Sequence, residues 1–172
     1  MKFLFLTILI PLNIFSQSEN SYSGIKTSLR ADNSLASKIE YKNGEPNGMA
    51  LIYDVNGKLW EEGTFVNRKW IGNYKLYHSN GKIHQDFNFD SKGVKNGRQR
   101  YYHENGILKN ISGCVDGKTD GYVLEFDKLG QLLIAPTFYV NGEQIFNYGN
   151  NQMLLALLDI VNKENEAARK LK

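Results

Sequence analysis

The sequence predicts an all-β fold, an elongated antiparallel β-meander of tandem hairpins of about 24 residues, followed by a C-terminal α-helix. Three observations carry this reading. The stretch Tyr77-His78-Ser79-Asn80-Gly81-Lys82-Ile83 recurs as Tyr53-Asp54-Val55-Asn56-Gly57-Lys58-Leu59 and as Tyr102-His103-Glu104-Asn105-Gly106-Ile107-Leu108. An Asn-Gly pair between strand-forming residues is a strong hairpin signal, because both residues tolerate positive φ. Glycines also fall at Gly24, Gly48, Gly72, Gly97 and Gly121, with spacings of 24, 24, 25 and 24. Finally, 16 Gly, 10 Tyr and 9 Phe against 3 Pro point to turns and aromatic strands rather than to helices.

Taken in order, residues 1–18 read as a signal peptide. Lys2 supplies one positive charge, Phe3 to Phe15 form an apolar run, and Ser16-Gln17-Ser18 follow as a small polar cluster. The run is short of the roughly 20 residues a spanning helix needs, and Pro11 and Asn13 would interrupt a buried core helix. Cleavage is expected after Ser16 or Ser18, and no Cys follows the run to carry a lipid. The protein is therefore expected to be exported, in the periplasm, at the outer membrane or secreted. The sole cysteine, Cys114, can make no internal disulfide, so nothing staples the fold covalently.

Residues 19–148 read as the repeat domain, with units starting near 24, 48, 72, 97 and 121. Five positions after each glycine stand Leu29, Tyr53, Tyr77, Tyr102 and Phe126, and the turn position holds Asn33, Gly57, Gly81, Gly106 and Gly130. Next come an aliphatic column, Leu35, Leu59, Ile83, Leu108 and Leu132, and six residues later an aromatic one, Tyr41, Phe65, Phe89, Cys114 and Phe138. Strand alternation places columns six apart on one face. A second turn is expected at Asn47-Gly48, Asn96-Gly97 and Asp120-Gly121. Ile71-Gly72 departs from that pattern, and an irregular connection or bulge should take up the extra residue between Phe89 and Gly97. Cys114 in a phenylalanine column reads as a small packed hydrophobe.

Units of the form Gly-x-x-x-[Tyr/Leu]-Tyr-x-x-Asn-Gly-Lys-[Leu/Ile], spanning roughly Gly24 to Gly142, resemble MORN-type repeats, and most closely the bacterial variant whose members are often labelled antitoxin-like. The resemblance implies one β-hairpin per unit and edge-to-edge pairing of successive hairpins into a long twisted sheet. The aromatic that usually stands two positions after the opening glycine is kept only as Tyr74; Ala50, Gln99 and Val123 depart from it. Because no unit buries its own apolar face, stability in such an array is shared between neighbours.

Residues 149–172 read as a helical tail. Asn150 or Asn151 is the expected N-cap. Met153, Leu154, Leu157, Leu158 and Val161 form an apolar stripe over a helix from about Gln152 to Lys170, with Asp159–Lys163 and Glu166–Lys170 as i,i+4 pairs. Its expected place is over the last hairpin, covering sheet surface.

No catalytic motif stands out. His78 and His103 share a column with Asp54 and Asp127, yet neighbouring units stand roughly 10 Å apart, too far to share an ion that binds at about 2.1 Å; these residues read as turn initiators. Glu61 and Glu62 should point to opposite faces. The sequence has no nucleophile elbow, no zinc-protease helix and no phosphate loop. The chain is therefore expected not to be an enzyme and to hold no cofactor or metal. Its net charge of +3, or +2 without Lys2, is too small to argue for nucleic acid. The candidate contact residues are the column tyrosines Tyr53, Tyr77 and Tyr102 and the basic group Lys95, Arg98, Arg100 and Lys109. The expected function is an exported, non-catalytic module that binds a protein or an envelope polymer. An antitoxin or immunity role, and peripheral binding to an anionic membrane, stand as the alternatives.

Overall fold

The computed structural model describes residues 22–145 and 151–170; the predicted leader, with its cleavage site, and the expected cap residue Asn150 lie outside them. Twelve strands form a single antiparallel sheet. In chain order they are β1 (Gly24–Leu29), β2 (Leu35–Lys42), β3 (Glu45–Tyr53), β4 (Leu59–Val66), β5 (Lys69–Tyr77), β6 (Ile83–Phe89), β7 (Gly97–Tyr102), β8 (Leu108–Val115), β9 (Lys118–Thr119), β10 (Gly121–Glu125), β11 (Thr137–Val140) and β12 (Glu143–Ile145). Spatial order follows sequence order, except that the two residues of β9 lie beside β8, off the path from β8 to β10. One helix, α1 (Asn151–Lys170), completes the described chain.

The repeated Tyr-to-Leu turns are present in every unit, though their chemistry differs from the sequence expectation. In the second unit Gly57 N–H donates to Asp54 C=O at 3.1 Å and Asp54 N–H to Lys58 C=O at 2.7 Å. Only Gly57 has positive φ, at 77°; Asn56 does not. The loop is thus a type I turn followed by a left-handed glycine, one residue longer than a two-residue Asn-Gly turn. The same pair of bonds recurs at His78–Lys82, His103–Ile107 and Asp127–Gln131.

The second set of turns lies elsewhere than expected. Asn47-Gly48, Asn96-Gly97 and Asp120-Gly121 are not the reversals. The chain reverses at Asn43-Gly44, Asn67-Arg68, Asp116-Gly117 and Asn141-Gly142, where both central residues have positive φ, as two-residue hairpins require. Gly48 and Gly72 sit inside β3 and β5 at φ 132° and 63°. There the ladder between neighbours skips, from Ile39 to Tyr41 and from Glu62 to Thr64. Gly48 and Gly72 therefore mark kinks within strands, whereas Gly24, Gly97 and Gly121 open β1, β7 and β10. Between Phe89 and Gly97 the turn is of the longer kind, with Gly93 N–H bonding Asp90 C=O at 3.1 Å, and this accounts for the 25-residue spacing.

A second correction concerns the faces. Tyr53 pairs with Leu59 but Ile52 with Glu61, leaving Trp60 unmatched. The same skip leaves Ala36, His84 and Lys109 unmatched in the return strands of the first, third and fourth units. One unmatched residue inverts the alternation beyond it. The aliphatic and aromatic columns, six residues apart, consequently lie on opposite faces. The fifth unit departs further. Residues 133–136 interrupt the return strand, ending at Pro136, which has no N–H to give to a ladder. Phe138 then pairs with Tyr122, and Tyr139 takes the place opposite Gly121.

The core lies where the helix meets the aliphatic face. Leu108, Ile111, Leu124, Phe126 and Val161 are buried together, with Tyr102, Leu154, Leu157 and Leu158 packed around them. The predicted stripe holds, apart from the exposed Met153. The helix lies back over β7, β8 and β10 rather than over the last hairpin. Asn165 Oδ1 accepts from Leu108 N–H at 2.9 Å, and Arg100 joins Glu164 of the helix at 3.2 Å and Asp86 of β6 at 3.5 Å. Asp159 and Lys163 make the expected i,i+4 pair at 2.7 Å.

At the kink between β9 and β10, Gly113 C=O accepts from Asp120 N–H at 3.0 Å, and a Cβ on Gly113 would stand 2.2 Å from Asp120 O. Gly113→Ala is expected to lower stability by about 1–3 kcal/mol, as overpacking against rigid backbone does, which urea denaturation would measure. Gly57→Ala, where a Cβ meets nothing within 4 Å and only φ is strained, should cost about 1 kcal/mol.

Candidate functional site

The inverted alternation sorts the side chains into two surfaces. One carries Glu62, Lys75, Tyr77, Asp86, Arg100 and Tyr102, and the helix covers it over β7, β8 and β10. Tyr77 Oη donates to Glu62 Oε1 at 2.7 Å, and Lys75 Nζ lies 3.2 Å from the same oxygen. The other carries an aromatic row. Phe65 stacks on Trp70 at 3.8 Å, Trp70 meets Tyr74 at 4.9 Å, and Tyr74 lies 6.3 Å from Phe87 and 6.1 Å from Phe89. Phe87 in turn meets Tyr101 edge-on at 5.0 Å. Tyr74 Oη donates to Glu61 Oε1 at 2.8 Å, so Glu61 and Glu62 do face opposite sides. Burial and the neighbouring carboxylates, Glu61 and Glu62, hold the Tyr74 and Tyr77 hydroxyls well above the usual phenol range; burial does the same at Tyr102.

The candidate residues are divided by this arrangement. Tyr53, Tyr77 and Tyr102 occupy equivalent register positions, opposite Leu59, Ile83 and Leu108. They rank along the helix side, and Tyr102 is packed into the core beneath α1. The basic group does not form one patch. Lys95 lies over the Phe87 ring at 4.0 Å, on the aromatic side. The Arg100 side chain is 14% exposed and engaged by Asp86 and Glu164 on the helix side. Arg98 lies on that side too, lining a hollow of about 250 Å³ between sheet and helix, while Lys109 is an exposed unmatched residue. Cys114 is buried; burial pushes its thiol up while Lys95 pulls the other way, so the thiolate is disfavoured.

Sequence reasoning missed the aromatic row because it assumed unbroken alternation. The signal was nonetheless present, in Trp70, Tyr74, Phe87, Phe89 and Tyr101 clustered from the end of the second unit to the fourth. It also missed what the turn residues do. His78 Nε2 donates to Tyr102 C=O at 3.0 Å and His103 Nε2 to Phe126 C=O at 2.9 Å. A carbonyl only accepts, so Nε2 carries the proton in each ring. Asn80 and Asn105 donate to Glu104 and Lys128 C=O, each at 2.7 Å, and Lys58 and Lys82 reach Ser79 and Asn105 C=O at 2.7 and 2.8 Å. Each turn is thus tied to the one about 24 residues further on. Asp54, Asp90 and Asp127 instead fold back on their own turns, accepting from backbone N–H groups two and four residues later. The shared His/Asp column therefore holds two different devices.

Among the described residues, no group of three or more His, Cys, Asp or Glu side chains stands where it could hold a metal ion, and no helix is long and apolar enough to cross a membrane.

The fold and this surface define a tandem-hairpin repeat protein with one face covered by a helix over β7, β8 and β10 and the other lined with rings. More particularly, the chain carries three tandem copies of the MORN repeat variant, matched at residues 46–67, 71–91 and 95–112. The hairpins β1–β2 and β10–β11 continue the sheet on either side. No curated protein matches the chain. Among solved structures it is similar to a crystal structure of a S. aureus TarM mutant in complex with fondaparinux, alpha-GlcNAc-glycerol and UDP, at 17% identity and a TM-score of 0.38, over 59% of this chain and 21% of that one. A likeness of that size carries no argument here.

The His78 and His84 rings stand 4.4 Å apart. Burial first, then His78 and Lys109, hold the His84 imidazole below the ordinary 6.5. The unfolded chain therefore binds the His84 proton more readily than the folded one, and stability falls as pH drops below 6.5. Imidazole NMR titration should place His84 below 6.5. His78→Gln should move it upward, and His84→Gln should remove this part of the acid-side stability loss in thermal melts.

Proposed function

We propose that this protein is an exported, non-catalytic interaction module of the cell envelope that grips a protein or polymer partner on the aromatic side of its repeat sheet. A single observation supports the reading. The helix covers the aliphatic side over β7, β8 and β10, whereas Phe65, Trp70, Tyr74, Phe89 and Tyr101 on the other side are only partly buried, largely by one another. Rings held by their neighbours offer contact area at little cost in side-chain entropy, which is why such residues dominate binding hot spots. The MORN repeat variants supply a rigid, repeating frame for such contacts. The apolar leader supports the envelope as the place of action. Lys95 lies on the aromatic side and Arg98 and Arg100 on the helix side, so the aromatic rings rather than a single basic patch support the choice of face.

Affinity capture from envelope extract tests this. The chain should retain a defined partner, and Tyr101→Ala should reduce recovery at least about tenfold, as loss of a hot-spot ring does, with its melting transition preserved. Tyr53→Ala, on the other side, should leave recovery unchanged. Equal recovery with both variants would refute the assignment of the face. For export, intact mass of the protein recovered from its host should show a chain beginning at Gln17 or Glu19; an uncleaved chain in the cytosol would refute it.

A further inference from the structure

We propose that β1 is a docking edge for a second copy of this chain, joining two sheets through an antiparallel β1–β1 pair about a two-fold axis. The inference is independent of the partner-binding reading above. Among the described residues, β1 pairs in the sheet only with β2; Ile25 C=O accepts from Tyr22 Oη at 2.8 Å, so a second strand on the outer edge takes the remaining backbone donors and acceptors and displaces that hydroxyl. β1 is six residues long, and five of them are exposed. Ile25 and Leu29 are 60% and 58% exposed, and Lys26 is the only charge on the strand. The opposite edge is blunted, since β12 has three residues and opens on Glu143.

The sequence of β1 selects its own partner. A two-fold axis normal to the sheet keeps both faces continuous only when residues of the same face oppose one another. Centred on Thr27, this pairs Ile25 with Leu29, Lys26 with Ser28 and Thr27 with Thr27: an apolar pair made twice, a cation against a hydroxyl made twice, and one Thr–Thr pair. A Thr–Thr cross-strand pair stabilises a sheet, and the Ile25–Leu29 pairs would remove apolar surface from water. Centred on Lys26, the alternative would oppose two like charges, which is unfavourable. Ile25 also lines a hollow of about 480 Å³ with Tyr22, Thr27 and Tyr41, beside which Leu29 of the second copy would lie. The interface is isologous, so assembly stops at the dimer. Its modest size places it among weak assemblies.

Sedimentation equilibrium of the full chain should show a concentration-dependent dimer. Thr27 is exposed, so charges placed there leave the fold intact, as matched melting curves will verify. Thr27→Lys and Thr27→Glu should each be monomeric, because each opposes itself across the axis. Mixed in equal amounts, they should restore the dimer by pairing Lys with Glu. A wild-type chain that stays monomeric, variants that dimerise like wild type, or a mixture that fails to associate would each overturn the proposal.

Discussion

The arrangement of this molecule rests on one unmatched residue in the return strand of each of the first four units. Where Trp60, His84 or Lys109 has no opposite number, the alternation of side chains is inverted for the rest of the strand. Without that skip, Leu108 and Cys114 would share a face, and so would Ile83 and Phe89. With it, the aliphatic residues collect on one side and the rings on the other. The helix then has a single apolar surface to cover, and it covers that one. The rings stay in contact with solvent and with each other.

A single-layer sheet gives each unit little to bury, so the bonds between units matter more here than in a two-layer domain. The turn motif serves this need. Its His, Asn and Lys each place a donor on a carbonyl of the following turn, and these carbonyls would otherwise face water. Such bonds fix the step and twist between hairpins at the very edge where the strands stop pairing. The helix adds a second tie by a different means. Arg100 stands between Asp86 and Glu164, so the charge of one strand is satisfied jointly by its neighbour and by α1. Because all three side chains are largely shielded, removing the arginine would leave two carboxylates without their counter-charge, a costly state.

The same economy explains which surface the helix leaves open. A helix of 20 residues is about 30 Å long, and lying over β7, β8 and β10 it leaves the first units uncovered on both sides. The aromatic row spans β4 to β7, within the units that match the repeat family. Phe87 shows how the rings are held: it is 5% exposed, closed in by Tyr74, Tyr101 and the Lys95 ammonium.

The sequence by itself determined the repeat, its period, the hairpin at each Tyr-to-Leu turn, and the terminal helix with its apolar stripe. These are local matters: turn residues and side-chain periodicity act over a few neighbours and are written directly in the chain. It also contained Asn43-Gly44 and Asp116-Gly117, the true reversals, but set beside Asn47-Gly48 and Asp120-Gly121 it gave no means of choosing between them. Only the tertiary structure decided that choice, the unmatched residue in the return strand of each of the first four units, and hence the side to which Tyr102, Phe65 and Arg100 belong. The physical reason is that register is a property of two strands together. It is set by which pairing buries the most apolar area and satisfies the most backbone groups across the whole sheet, and no single strand carries that information.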